Sequence, residues 1–161
     1  MLVEDLAFHM FHRFVHWRVI YPYFHKHHHN YVTTVSLGAE YFHPVDYFFG
    51  VLMPGSFGPN ILGSRLHIST YIFWITIRTI EGADGHSGYE FPWSPFRLLP
   101  FSASASYHDF HHSHNVGNYS SLFTIWDSVF GDNTAYLEYQ KKRNFGLAGH
   151  ISKDQNANNN K

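Results

Sequence analysis

The sequence predicts an all-α domain embedded in a membrane, on three grounds: scarce charge, abundant aromatics, and histidines recurring three and four residues apart. Only 14% of the 161 residues are charged, where a soluble domain carries about 25%. Aromatic residues make up 19%, and there are 15 histidines. The length suits one domain. Eleven basic residues face 12 acidic ones, so no strong field favours nucleic acid or an acidic partner. Cysteine is absent, which excludes disulfide scaffolds, thiolate zinc sites and cysteine nucleophiles. Any metal must be held by nitrogen and oxygen.

Taken in order, the opening MLVEDLAFHMFHRF has an acidic pair and no continuous apolar core, so it is not a signal peptide. Residues 4–30 lack glycine, and Pro22 leaves room for a helix on either side. No residue from Tyr47 to Ser64 is charged, and none from Leu66 to Ile77. A membrane-crossing helix needs about 20 apolar residues. MPGSFGPN interrupts the first run and the second is too short, so the pair reads as a re-entrant or shallow hairpin turning between Asn60 and Arg65. Two buried helices of a soluble domain are the competing reading. EGADGHSGYEFPWSPF, dense in Gly, Pro and Ser, reads as a structured loop, with helix resuming near Ser104 to Ser113. The folded domain is expected over 1–143, and the polar, Asn-rich 144–161 as a disordered tail.

Three histidine groups share one spacing logic. His12 and His16 lie four apart; His25, His28 and His29 form H-x-x-H-H; His108, His111 and His112 repeat it. On a helix such residues share a face with β-carbons roughly 5–6 Å apart, close enough to share a metal or to serve adjacent metals. Eight ligands exceed what one tetrahedral zinc takes, so two metals fit the count better. His86 is a ninth candidate, in a glycine-flanked loop that permits close backbone approach. Imidazole suits Zn, Cu, Fe and Ni alike, so ligand type leaves the metal open. The pattern is interrupted, internal and repeated, unlike a purification tag, and too extensive for a pH switch. His27 lies off the shared face and reads as a spacer, and His9 as a residue on an adjoining face. His43, His67, His114 and His150 read as core, interface or tail residues.

Neutral imidazoles need their second nitrogen anchored. Asp84 and Asp109 are the leading carboxylates for that role, followed by Asp5, Glu40 and Asp127. Other chemistries fail on inspection. There is no H-E-x-x-H, and GPNILGS places Ser64 where a phosphate loop needs lysine. The Glu-x-x-His pairs of soluble di-iron bundles are also absent.

HRFVH (12–16), HKHHH (25–29) and HDFHH (108–112) resemble the three histidine boxes of the membrane-bound fatty acid hydroxylase and sterol desaturase superfamily. AEYFHP (39–44), SGYEFPW (87–93) and GNYSSLFTIWDSVFG (117–131) are similar to its sterol C-4 methyl oxidase branch. The resemblance runs from Glu4 to Tyr136. It implies an integral endoplasmic-reticulum enzyme whose active site faces the cytosol. It further implies a non-haem pair of Fe ions, with Zn as a possible substitute, held by His12, His16, His25, His28, His29, His86, His108, His111 and His112. Such an enzyme oxidises the C-4 methyl group of a sterol with O2, taking electrons from cytochrome b5 and its NAD(P)H reductase. The competing readings are a hydroxylase, desaturase or side-chain-removing enzyme acting on another sterol position or a fatty acyl chain, and a truncated metal-binding paralogue without catalysis. Members of the family carry membrane-spanning helices ahead of the first box. Here only 11 residues precede His12, so those N-terminal transmembrane helices are expected to be missing.

The aromatic surplus, with the FPW turn (91–93) and the 47–77 hairpin, is expected to line an apolar pocket for a flat lipid. Arg13, Arg18, Lys26 and the run Lys141 to Arg143 are expected on the cytosolic side, where acidic cytochrome b5 would dock beside membrane lipid.

Overall fold

In a computed structural model, residues 1–144 are described; the tail expected over 144–161 lies outside them except for its first residue. The described chain is helical and contains no β-strand beyond one isolated bridge, Ser102 with Phe123, in agreement with an all-α fold. Helix α1 spans Leu2–Val15. A run of turns leads to a 3-10 segment at His28–Asn30, and another covers Ser36–Glu40. Helices α2 (Pro44–Tyr47) and α3 (Met53–Leu62) are joined by a π-helical turn over Phe48–Leu52. Then come α4 (Ile68–Gly85), α5 (Ala105–His114) and α6 (Ile125–Phe130), with a last helical stretch over 134–144.

Local chemistry sets the helix ends. His43 and His67 each stand one residue before a helix, and each ring Nδ1 accepts a backbone N–H, from Val45 and from Ser69, both at 3.2 Å. Pro44 follows His43 at the first helical position, where its missing N–H costs nothing. Ser104 Oγ caps α5 by accepting from Tyr107 N–H at 3.1 Å. Gly63 adopts φ +52 between α3 and α4, inside the turn expected at 60–65.

Helices α3 and α4 stand where the two arms of the hairpin were expected, one on each side of that turn. Among the described residues, no helix is long and apolar enough to cross a membrane. The second arm after Pro22 is a correction to the sequence reading: 17–27 forms turns, not a helix. Proline has no N–H to give, and Lys26 N–H reaches back to Tyr21 O at 2.9 Å, five residues away, which breaks the helical register.

The interior is polar. Buried apolar side chains are few, among them Val15, Phe96, Tyr107, Phe110 and Leu122, whereas the most deeply buried large ones include His9, His111, Asn118 and Asp127. Many large apolar side chains face outward instead, including Trp17, Ile68, Phe73 and Trp93. Buried ion pairs and carboxylate caps join distant segments. Arg78 on α4 pairs with Glu4 and Glu81 and donates to Ser121 Oγ at 3.0 Å. Asp5 on α1 accepts the backbone N–H of Leu122 at 2.9 Å and of Phe123 at 3.3 Å. α1 packs on α3 and α6, and α4 on α5 and the 36–40 segment, so the middle of the molecule is enclosed by histidine-bearing elements.

Candidate metal centre

The eight histidines singled out by spacing, with His86, converge in two groups. His12, His16, His25, His29 and His111 bring one ring nitrogen each to within 4.8 Å of one another, and His28, His86, His108 and His112 do the same. All but His16 and His108 are buried outright. The groups touch: the His29 and His112 rings stack at 4.4 Å.

Each box divides between the groups in one way. α1 supplies the i, i+4 pair His12 and His16 to the larger group. The second box gives its i, i+4 pair, His25 and His29, to that group, and His28 to the other. The third box, on α5, does the reverse, with His108 and His112 in the smaller group and His111 in the larger. A four-residue step returns nearly to the same helical face, whereas a one-residue step rotates about 100° away. Adjacent imidazoles in H-x-x-H-H therefore look towards different points.

Ring orientation is set from behind. The Nδ1–H groups of His12, His28, His86, His111 and His112 donate to the carbonyls of Tyr119 (2.8 Å), Tyr41 (3.3 Å), Gly82 (2.9 Å), Gly117 (2.6 Å) and Tyr31 (3.1 Å). His25 Nδ1–H donates to Asp46 Oδ2 at 2.7 Å. With the proton on Nδ1, the opposite nitrogen carries a lone pair, and these lone pairs converge. His12 and His25 Nε2 lie 3.0 Å apart; His86 Nε2 lies 3.3 Å from that of His28 and 2.9 Å from that of His108; His108 and His112 Nε2 lie 3.0 Å apart. The Nε2 atoms of His16, His29 and His111 are buried without any partner. Buried acceptors facing acceptors are costly without a donor or cation between them, so this donor set fits two metal ions.

Protonation agrees with that chemistry. Burial, reinforced by neighbouring imidazoles, holds His25, His28, His108 and His111 well below the usual histidine range, and His16 likewise. Burial lowers His12 and His29 to about 3 and His86 to about 4. The rings are neutral at physiological pH, the form that binds metal. Burial also pushes the Asp46 carboxyl up to about 7. A cation on the far side of His25 would favour its ionised form.

A cavity of about 240 Å³ opens against the smaller group only. His28, His86 and His108 line it, Phe8, Val51, Leu52, Trp74 and Ile75 supply apolar wall, and Glu4, Arg78, Glu81 and Asp84 are among its polar lining. None of the five imidazoles of the larger group lines it.

Other expectations resolve differently. Asp84 and Asp109 make no hydrogen bond to an imidazole: Asp84 accepts from Arg97 at 2.8 Å and Ser94 at 3.2 Å, and Asp109 from Thr34 N–H and Oγ1–H. Asp46, which sequence reasoning passed over, is the carboxylate that accepts a hydrogen bond from one of the nine rings. Its signal was there to read, since it is the only charge between Glu40 and Arg65. His27 is exposed and stacks on Tyr41 at 4.3 Å, outside both groups. His9 lies outside them too, beside Asp127 and Asp132.

The family model described as Fatty acid hydroxylase matches residues 1–132. Methylsterol monooxygenase 1 of Gallus gallus is 38% identical over 141 residues, covering 88% of this chain and 47% of that protein. The C-4 methylsterol oxidase of Candida albicans is 40% identical over 161 residues, covering 98% and 51%. A putative methylsterol monooxygenase of Dictyostelium discoideum is 38% identical over 147 residues, covering 91% and 53%. The chain thus spans about half the length of the curated relatives it matches. No solved structure matches it significantly.

Proposed function

Because the chain belongs to the fatty acid hydroxylase family, we propose that its two imidazole groups hold a pair of iron ions and that it oxidises the C-4 methyl group of a sterol. The observation that carries this is the convergence of nine neutral, unprotonated ring nitrogens on two adjacent points, one of which opens on an apolar-walled cavity. The substrate class follows the methylsterol monooxygenases that the chain is similar to.

Bound iron supplies the oxygen chemistry, the hydroxylation of an unactivated C–H bond. In the balance of that reaction one oxygen atom of O2 enters the methyl group and the other leaves as water, with two electrons and two protons consumed. The chain's residues do the rest. The backbone carbonyls and Asp46 behind His12, His25, His28, His86, His111 and His112 fix the tautomer that leaves those six donor nitrogens free. Phe8, Trp74 and Ile75 orient an apolar ligand and keep water from its reacting end, beside His28, His86 and His108. The same ligand set would accept Zn, without oxygen chemistry.

The outward-facing Ile68, Ile72 and Phe73 of α4 and Ile61 and Leu62 of α3 would lie in lipid of the endoplasmic-reticulum membrane, with the histidine centre on the cytosolic side. Arg13 is partly exposed, and Arg18 and Lys26 are exposed, on α1 and the turns after it. They would receive acidic cytochrome b5, itself reduced by an NAD(P)H reductase. The test is turnover in iron-supplied membranes containing the chain, cytochrome b5, its reductase, NADH and a 4,4-dimethylsterol under heavy-isotope O2. Label on a C-4 methyl carbon is the expected product. Label at another carbon would move the chain to a different lipid oxidation, and unlabelled sterol from metal-loaded chain would refute the monooxygenase reading.

A further inference from the structure

Asp127 touches none of the nine imidazoles, yet two of them depend on it. It is fully buried at the start of α6. Its carboxylate accepts the backbone N–H of Tyr119 at 2.7 Å and of Ser120 at 3.0 Å, and the Tyr107 hydroxyl at 2.9 Å. His9 Nε2 stands 3.3 Å from Oδ1. The loop held in this way presents the two carbonyls that orient His12 and His111, those of Tyr119 and Gly117. The rest of the loop is equally constrained. Asn118 is fully buried with a left-handed φ of 54°; its N–H donates to Asp132 O at 3.1 Å and its Nδ2 to Tyr107 O at 2.9 Å. Gly117 also has positive φ, and a side chain there would collide with the Asp132 carbonyl.

We propose that Asp127 is a positioning residue for one metal only. It sets the 117–120 loop, the loop sets His12 and His111, and the affinity of the five-imidazole group follows. This rests on the proposed metal-binding reading of that group. Selectivity follows from where the anchors come from, because His28, His86 and His112 donate to Tyr41, Gly82 and Tyr31, none of them on this loop. The carboxylate itself is needed, since an asparagine would turn an N–H group towards backbone N–H donors. Burial alone would raise the Asp127 carboxyl, but the donors of His9, Ser120 and Tyr107 keep it below the usual carboxylate range. With its oxygens already occupied by close donors, Asp127 serves as a hub of hydrogen bonds and not as a third cation's ligand beside His9 and Asp132.

The test is a Co2+ titration of the metal-stripped full chain in detergent, followed by visible absorption, with the five-imidazole phase assigned by His16→Gln. In Asp127→Asn that phase weakens roughly 10–100-fold and the other stays unmoved. Tyr107→Phe removes one donor and shifts the same phase less, which keeps the test usable if Asp127→Asn does not fold. Asp5→Asn is the control: it cuts a similar carboxylate-to-backbone clamp, at Leu122 and Phe123, and is expected to lower thermal stability without moving either phase. Equal weakening of both phases in Asp127→Asn means general loosening and overturns the proposal, as do two unmoved phases. Loss of a separate, additional Co2+ equivalent overturns it in favour of a cation held by His9, Asp127 and Asp132. A wild-type chain that binds no Co2+ refutes the metal reading and this inference together, a result distinct from binding that Asp127→Asn leaves unchanged.

Discussion

The two imidazole groups are built from the same boxes but face different surroundings. The five-imidazole group is closed, apart from the cavity and backed by a carboxylate, Asp46, as well as by carbonyls. The four-imidazole group is open, with His28, His86 and His108 on the cavity wall and backbone carbonyls behind His28, His86 and His112. A metal with fewer protein ligands and an adjoining cavity keeps positions for exogenous molecules, whereas a closed set serves to hold. Under the proposed function, that difference would give the substrate-facing role to the smaller group.

The largest effect should come from that open group. Under the proposed function, His28→Ala would remove one of four proposed ligands and a piece of the cavity wall, so it should lower metal content and abolish turnover. Retained turnover at full metal content would break the assignment. Next in size is the closed group's anchor. Asp46→Ala leaves His25 Nδ1–H without its carboxylate, and affinity at the five-imidazole site should fall by roughly 10–100-fold, measured by metal competition. An unchanged affinity would show that the closed group does not need its carboxylate.

Much of this arrangement was legible in the residues, and the illegible part has a physical cause. Eight of the nine histidines declare themselves because spacing by three and four survives even where the helix does not, as at 25–29, and His86 only by its glycine-flanked loop. Their division between two points was not visible until the one-residue steps His28–His29 and His111–His112 were seen to face apart. The anchors were harder. Sequence proximity favoured Asp84 and Asp109, but both are bound by nearer partners, Arg97 and Thr34. Most of the rings take backbone carbonyls, which every residue possesses and no sequence advertises. Asp46 reaches His25 from 21 positions away.

A smaller effect would sharpen the open side of the comparison. Val51 lines the cavity from the π-helical turn, away from any imidazole. Val51→Trp should raise the KM for sterol several-fold by filling apolar space, with metal content unchanged. Altered metal content would mean that the cavity and the smaller group are not separable.

The smallest effect on either group should come from Asp5, which lies remote from both and holds α1 to residues 122–123. Burial pushes its carboxyl up to about 6, against the partly compensating N–H donors of Leu122 and Phe123 and the charge of Arg78, with Glu81 adding repulsion. Glu4 and Glu81 take the ion pairs of Arg78, so its charge offsets the burial of Asp5 only in part. A carboxyl raised in the folded state contributes stability that is complete below the unfolded value near 4 and is lost as pH rises through 6. For a shift of this size the loss is about 3 kcal/mol. In the metal-loaded protein, the stability advantage of wild type over Asp5→Asn should therefore shrink by that order between pH 4 and 7, read by denaturant unfolding at each pH, while metal content stays constant. A flat difference across the range would mean that Asp5 is ionised throughout, and that its bonds to Leu122 and Phe123 outweigh its burial.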